Sequence, residues 1–225
     1  MNEQGFIRAR SPENKAKRAK DILKSAMLVL DRDGIDAVTL TAIAREAGVV
    51  KSNIYRYFES REEILFRLML EESDYLTELG AKRIDALERP VDIAKLAETL
   101  AADFAQNPRF CLLISQMGPI LEHNISFETL VEMKREVVVF ILRVAEAIQR
   151  AVPEIGSEGA ARTLHTCVHL IAGLWPMANP PEPVVKALET PDLAFMRQDF
   201  ELSLRQSIHA LFEGTKAINA RAKGE

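Results

Sequence analysis

The sequence predicts an all-α protein: an N-terminal three-helix head ending in a helix-turn-helix, followed by a larger α-helical body. Three observations predict it. Residues 40–59, LTAIAREAGVVKSNIYRYFE, read as helix, tight turn, helix. Beyond Pro90, apolar residues recur at helical spacing and no stretch carries a convincing strand pattern. Charge is also divided along the chain. Residues 1–61 hold 12 Lys and Arg against 8 Asp and Glu, whereas residues 62–225 hold 17 against 25, so a net charge of −4 conceals a basic head on an acidic body. That split suits a chain that touches a polyanion at one end.

Residues 1–10 lack periodicity; Arg8 and Arg10 are either an arm that reaches DNA or part of a solvated tail. Ser11-Pro12 has the chemistry of a helix start, a capping hydroxyl followed by a ring with φ preset. The first helix then runs to Asp33-Gly34, with Ile22, Leu23, Ala26, Met27, Val29 and Leu30 as its apolar stripe. Its basic start, Lys15, Lys17, Arg18 and Lys20, can lie along phosphates. The second helix begins after Thr39, a hydroxyl cap. Ile43, Ala47, Val49 and Ile54 fall where two crossing short helices share a small core, and Ala44 lets them approach closely. Gly48 stands at the turn, where a positive φ would penalise a Cβ. Lys51, Ser52, Asn53, Tyr55, Arg56 and Tyr57 then fall on or beside the exposed half of the third helix, with side chains suited to phosphate oxygens and base edges. Ser60-Arg61-Glu62-Glu63 is a capping box that opens a long helix, periodic as far as Arg89-Pro90.

In the body, Val91–Gln106 is amphipathic, Asn107-Pro108 breaks it, and Arg109–Leu121 is a short apolar helix interrupted by Gly118-Pro119. Ser126–Ala151 is a helix whose run Val137–Leu142 predicts burial nearly all round. Residues 153–156 form a loop. A further helix spans Ser157–Trp175, residues 179–183 are turn-rich, and Thr190-Pro191-Asp192 opens a last helix carrying Leu193, Met196, Phe200, Leu204, Ile208 and Leu211. About nine helices result. Phe104, Phe110, Leu113, Met117, Phe140 and Trp175, with His123 among the few polar groups, suit a largely apolar small-molecule pocket; core packing is the competing role for each. His165 and His169 have a metal-ligand spacing, but no acidic residue completes a site, and packing or a subunit contact suits them better.

Several classes are disfavoured. Cys111 and Cys167 are too few for a disulfide scaffold and read as reduced core residues. No apolar run has the length of a membrane span and no hydrophobic signal core begins the chain, so the expected location is the cytoplasm. There is no Gly-rich phosphate loop, nucleophile elbow or His-Glu-x-x-His, so no enzyme activity, cofactor or metal is expected.

Residues 38–65, VTLTAIAREAGVVKSNIYRYFESREEIL, resemble the DNA-binding signature of the TetR (tetracycline-repressor) family of transcriptional regulators. The matching positions are Thr39, Ile43-Ala44, Ala47-Gly48-Val49, Tyr55 to Phe58, and Ser60-Arg61-Glu62. Val50 departs, standing where a polar residue is common and removing one phosphate contact; Arg61 replaces the usual Lys and keeps its charge. The resemblance covers the first third of the chain by motif and the rest by architecture. It implies a division at residue 61 between a DNA-binding domain, 1–61, and a ligand-binding and dimerisation domain, 62–225. On that analogy Thr39, Thr41, Lys51, Ser52, Asn53, Tyr55, Arg56, Tyr57 and Arg61 meet DNA. The last two long helices form a homodimer interface through Leu164, His165, Val168, Phe200, Leu204, Ile208 and Leu211. A small-molecule effector in the body shifts the fourth helix and respaces the two heads. Symmetry supports a dimer independently, because two recognition helices related by a twofold read a palindromic operator across successive major grooves. The rival expectation is an all-α small-molecule carrier or interaction protein that never meets DNA.

Overall fold

The computed structural model describes residues 12–222, all helices, turns and loops without a strand among them. Arg8, Arg10 and the Ser11 cap lie outside the described residues. Ten α-helices follow in order: α1 Pro12–Asp33, α2 Leu40–Glu46, α3 Lys51–Ile54, α4 Arg61–Asp85, α5 Ile93–Ala105, α6 Pro108–Ser115, α7 Phe127–Ala151, α8 Ser157–Ala178, α9 Glu182–Ala187 and α10 Phe200–Ala222.

The helix starts are set by local chemistry. Thr39 accepts a hydrogen bond from the Ala42 N–H and caps α2. Ser60 takes the Glu63 N–H (3.0 Å), while the Glu63 carboxylate reaches back to the Glu59 N–H (2.7 Å), so the predicted capping box is present one residue out of register. Asp92 and Ser126 cap α5 and α7 in the same way. Each satisfies an N–H that the first helical turn leaves without a partner.

Packing builds two layers around α4. In its first half Ile64, Leu65, Phe66, Leu68 and Met69 are all buried, closing the head from below and filling the body from one side. Removal of each such side chain from water contributes roughly 1.5–3 kcal/mol. On the body side α7 lies along α4, with α5 and α6 against it and α8 behind α6 and α7. At the far edge α10 packs on α5 and α8. There Gly159 brings α8 so close to α10 that an added Cβ would sit 2.9 Å from the Thr215 methyl, and the Thr163 and Thr215 hydroxyls bond at 2.7 Å.

Four expectations are corrected. The Val137–Leu142 run is helical but not buried all round: Val138, Val139 and Leu142 face outward on the side of α7 away from α4. The last helix opens at Phe200 rather than Thr190, because it is the Asp199 carboxylate that accepts the Leu202 N–H. The helix from Ser157 runs through Pro176 to Ala178. The ring costs one N–H, yet the end is closed when the Asn179 N–H and Nδ2 both donate to the Trp175 carbonyl. The turn-rich stretch after it holds α9, a short helix with Pro183 in its first turn.

Besides α4, two polar clasps join head to body. Glu59 accepts from the Ser126 N–H (2.9 Å), the Ser126 hydroxyl (2.9 Å) and the Thr129 hydroxyl (2.8 Å), all at the start of α7. These donors hold its carboxyl below the usual carboxylate range. Arg109 on α6 grips Asp31 of α1 through two bonds of 2.9 and 2.8 Å and also reaches Glu72 of α4.

Candidate nucleic-acid interface and internal cavity

The head closes on a small apolar centre. Ile43, Ala44, Ile54 and Phe58 are buried with Val38 and the α1 stripe, which fixes α3 across α2. Gly48 makes the turn with φ +63°, a conformation that costs an L side chain roughly 1–2 kcal/mol. With its one buried residue, Ile54, held inside, α3 turns Lys51, Ser52, Tyr55 and Arg56 to the outside. Thr39 and Thr41 are exposed on the adjoining start of α2. Val50, 67% exposed, precedes α3 on the same surface.

The nine sequence-predicted contacts therefore divide. Thr39, Thr41, Lys51, Ser52, Tyr55 and Arg56 lie together on one outer face, and Asn53 is half-buried beside them. Tyr57 turns inward and packs on the core. Arg61 is the clear departure. Its guanidinium donates to the backbone carbonyls of Ile35 (2.7 Å) and Val38, in the turn between α1 and α2, so it braces the head from within. Arg32 is similarly engaged, with Asp33 and Glu46. Among the described residues neither Lys51 nor Arg56 has an ion-pair partner. Two cations left unpaired on a face of hydroxyl and aromatic groups can take phosphate oxygens without first giving up a protein contact.

Within the body, α4, α5, α6, α7 and α8 enclose a half-open cavity of about 80 Å³. Of the predicted pocket residues, Phe104, Phe110 and Phe140 line it. Leu113 is wholly buried behind the wall, His123 is exposed in the turn before α7, and Met117 lies in the π-helical turn of residues 117–121. Trp175 stands edge-on to Phe200 (5.0 Å) at the α8–α10 end. Sequence reading missed Met69, Ser73, Leu76 and Thr77 of α4 and Ile114 of α6. Met69 and Leu76 were legible only as part of a helical stripe, which gives no sign of which neighbour leaves a gap, and Ser73 and Thr77 carry no apolar signal at all.

The expected dimer residues also divide. Leu164 and Val168 line the cavity, Val168 only half-buried, and Leu204 and Ile208 are fully buried against the chain's own helices. Phe200 and Leu211 are half-buried against the same core. His165 remains exposed, its ring 4.4 Å from that of His169. Partial burial, with His169 and Lys134 near, disfavours its charged form. No group of three metal-ligating side chains occurs among the described residues. Burial raises the thiols of Cys111 and Cys167 to about 12, which leaves both protonated near neutral pH.

A short reading helix on a three-helix head, carried by a long helix into a body with an internal apolar cavity, defines a helix-turn-helix transcriptional regulator. Comparison with known proteins gives the family. Residues 22–68 match the family described as bacterial regulatory proteins, tetR family, and residues 71–219 match the tetracyclin repressor-like C-terminal domain. The chain belongs to the TetR family. Over 57 residues the chain is 37% identical to YfiR of Bacillus subtilis, an uncharacterized HTH-type transcriptional regulator, a match spanning 25% of this chain and 28% of that protein. A possible TetR family transcriptional regulator from Streptomyces coelicolor has the same fold, with 17% identity, TM-score 0.60, and 89% of this chain and 99% of that chain covered. The fatty acid degradation regulator FadR from Bacillus halodurans is similar at 15% identity and TM-score 0.53, over 91% and 96% of the two chains. No helix among the described residues is long and apolar enough to cross a membrane.

Proposed function

We propose that this regulator is a cytoplasmic repressor that binds a palindromic operator as a homodimer and is released by a small, largely apolar effector. The division at residue 61 into a DNA-binding and an effector-binding, dimerising part belongs to the same proposal. One observation carries it: the helix that starts under the reading face, α4, is also a wall of the cavity. An effector acts only if it favours one setting of α4 over another. Repression rather than activation follows family habit.

The dimer surface proposed here is the exposed side of the second half of the body. His165 and His169 on α8, Leu202 and Ile218 on α10, and the strap between these helices face away from the core. That strap carries Val184, Val185, Met196 and Phe195, the last 83% exposed, and among the described residues it packs extensively on no other element.

The test is to incubate the purified protein with fragments of its own genome and sequence what is retained. An enriched palindrome supports the proposal. The Lys51→Ala, Arg56→Ala double variant should then bind tenfold or more weakly and flatten the dependence of log affinity on log salt by about 4, because a homodimer loses two phosphate contacts in each of its two heads. No enrichment at moderate salt, with or without candidate effectors, would favour a carrier that does not bind DNA.

A further inference from the structure

The cavity wall has an uneven chemistry. It is apolar throughout except for two hydroxyls, Ser73 and Thr77, one turn apart on α4. Ser73 is already engaged, donating to the Met69 carbonyl at 2.8 Å. Thr77 is not: no hydrogen bond among the described residues engages it, and although the residue is buried its hydroxyl is not sealed off but opens on the cavity. The Thr77 hydroxyl is thus the polar group of the lining that reaches the cavity with its donor and acceptor both free for a bound molecule.

Charge is absent from the lining. Several ionic groups near it are already paired: Arg83 with Asp103, Lys134 with Glu122, Arg67 with Glu136 and Arg109 with Glu72. An ion moved into such a space would lose its hydration and gain no counter-charge. At about 80 Å³ the cavity is roughly half the ~150 Å³ of an engineered apolar cavity that admits benzene, and it is open on one side.

We propose that this cavity takes a small uncharged molecule, an apolar chain or ring bearing one hydrogen-bonding group, and that the Thr77 hydroxyl is its anchor. The proposal rests on the body being the effector-binding part. Because Thr77 belongs to α4, the anchored group pulls on the helix that carries the head, whereas the apolar tail only fills space between α5, α6 and α7.

Three six-carbon probes that differ only in their head group test it: 1-hexanol, hexanoate and hexylamine, with cyclohexane as a probe lacking a head. Binding is followed by calorimetry on the full chain. 1-Hexanol should bind at least tenfold more tightly than hexanoate or hexylamine. Thr77→Val should weaken 1-hexanol about fivefold, the worth of one neutral hydrogen bond, and leave cyclohexane unchanged; Thr77→Ser should restore the alcohol. Hexanoate binding as well as 1-hexanol would overturn the proposal and shift attention to Lys134, His165 and His169. So would equal losses for alcohol and hydrocarbon in Thr77→Val, which would mean a packing role, or no binding of any probe. If 1-hexanol binds as described but does not lower retention of the enriched DNA, the anchor stands and effector release fails.

Discussion

The outer face of the head and the outer face of the body are built from opposite materials. On the head, the exposed side chains around α3 are Lys51, Ser52, Tyr55 and Arg56, and Val50 is the apolar exception. On the body, Val138, Val139 and Leu142 of α7, Phe195 and Met196 of the strap, and Phe127 and Ile218 are among the large apolar groups left exposed. The head's face asks for a polyanion, whose contacts are polar and weaken as salt is added. The body's faces ask for other apolar surfaces, whose contacts are nearly insensitive to salt and strengthen with area buried. Two kinds of recognition are thus separated in space and joined by α4 and two polar clasps.

The largest effect expected on this contrast comes from the head's small core. Ile54→Ala removes the one buried residue of α3 and should cost roughly 2–5 kcal/mol. With so few side chains behind it, the loss should appear as early exchange of head amides while the body keeps its protection. Uniform loss of protection would mean that head and body unfold as one unit. Next in size, Phe195→Asp places a charge on the strap and should raise the dimer dissociation constant at least tenfold by sedimentation, about 1.4 kcal/mol. An unchanged constant would move the interface elsewhere.

The smallest effect should be the clasp at Glu59. Its carboxyl has a folded-state value below the unfolded one, so its stabilisation is complete above the unfolded carboxylate range and is lost as pH falls through the lower, folded value. Solvent exposure limits the amount to a few tenths of a kcal/mol. Glu59→Gln should therefore be slightly less stable than the parent at neutral pH, and the gap should close in acid below about pH 4. A gap independent of pH would show that shape, not charge, holds the clasp.

How much of this could be read from the chain follows the range of the interactions. The helix-turn-helix was legible almost to the residue, because Thr39, Gly48, Ile54 and Ser60 act within a few positions of themselves. Arg61 was not, since its partners, Ile35 and Val38, lie more than twenty residues back and bind through backbone oxygens that a sequence does not distinguish. In the body, a periodic stripe marks a helix face that must be covered without saying by what. Leu204 and Ile208 keep the spacing expected of a subunit interface, and α5 and α8 of the same chain cover them. The Val137–Leu142 run shows the converse. Apolar character all round a helix signals burial only when every side meets a neighbour, and one side of α7 meets none within the protomer. Three of the seven expected pocket residues, Phe104, Phe110 and Phe140, line the cavity, because aromatic clustering survives in sequence while the gap between helices does not.

The contact at Gly159 bears on how the body can move. Where α8 meets α10 there is no room for even one methyl group, and the Thr163–Thr215 bond pins the same spot. Closely interlocked surfaces resist sliding, since any displacement must first lift side chains out of one another. The α8–α10 pair is therefore a stiff backplate, as a frame is to a bellows. Volume added to the cavity in front of it has to be taken up by the walls opposite, α4, α6 and α7. Two of these carry the clasps to the head, at Arg109 and Ser126, so in the proposed effector response stiffness at the far edge would direct a small swelling inside the body toward the head.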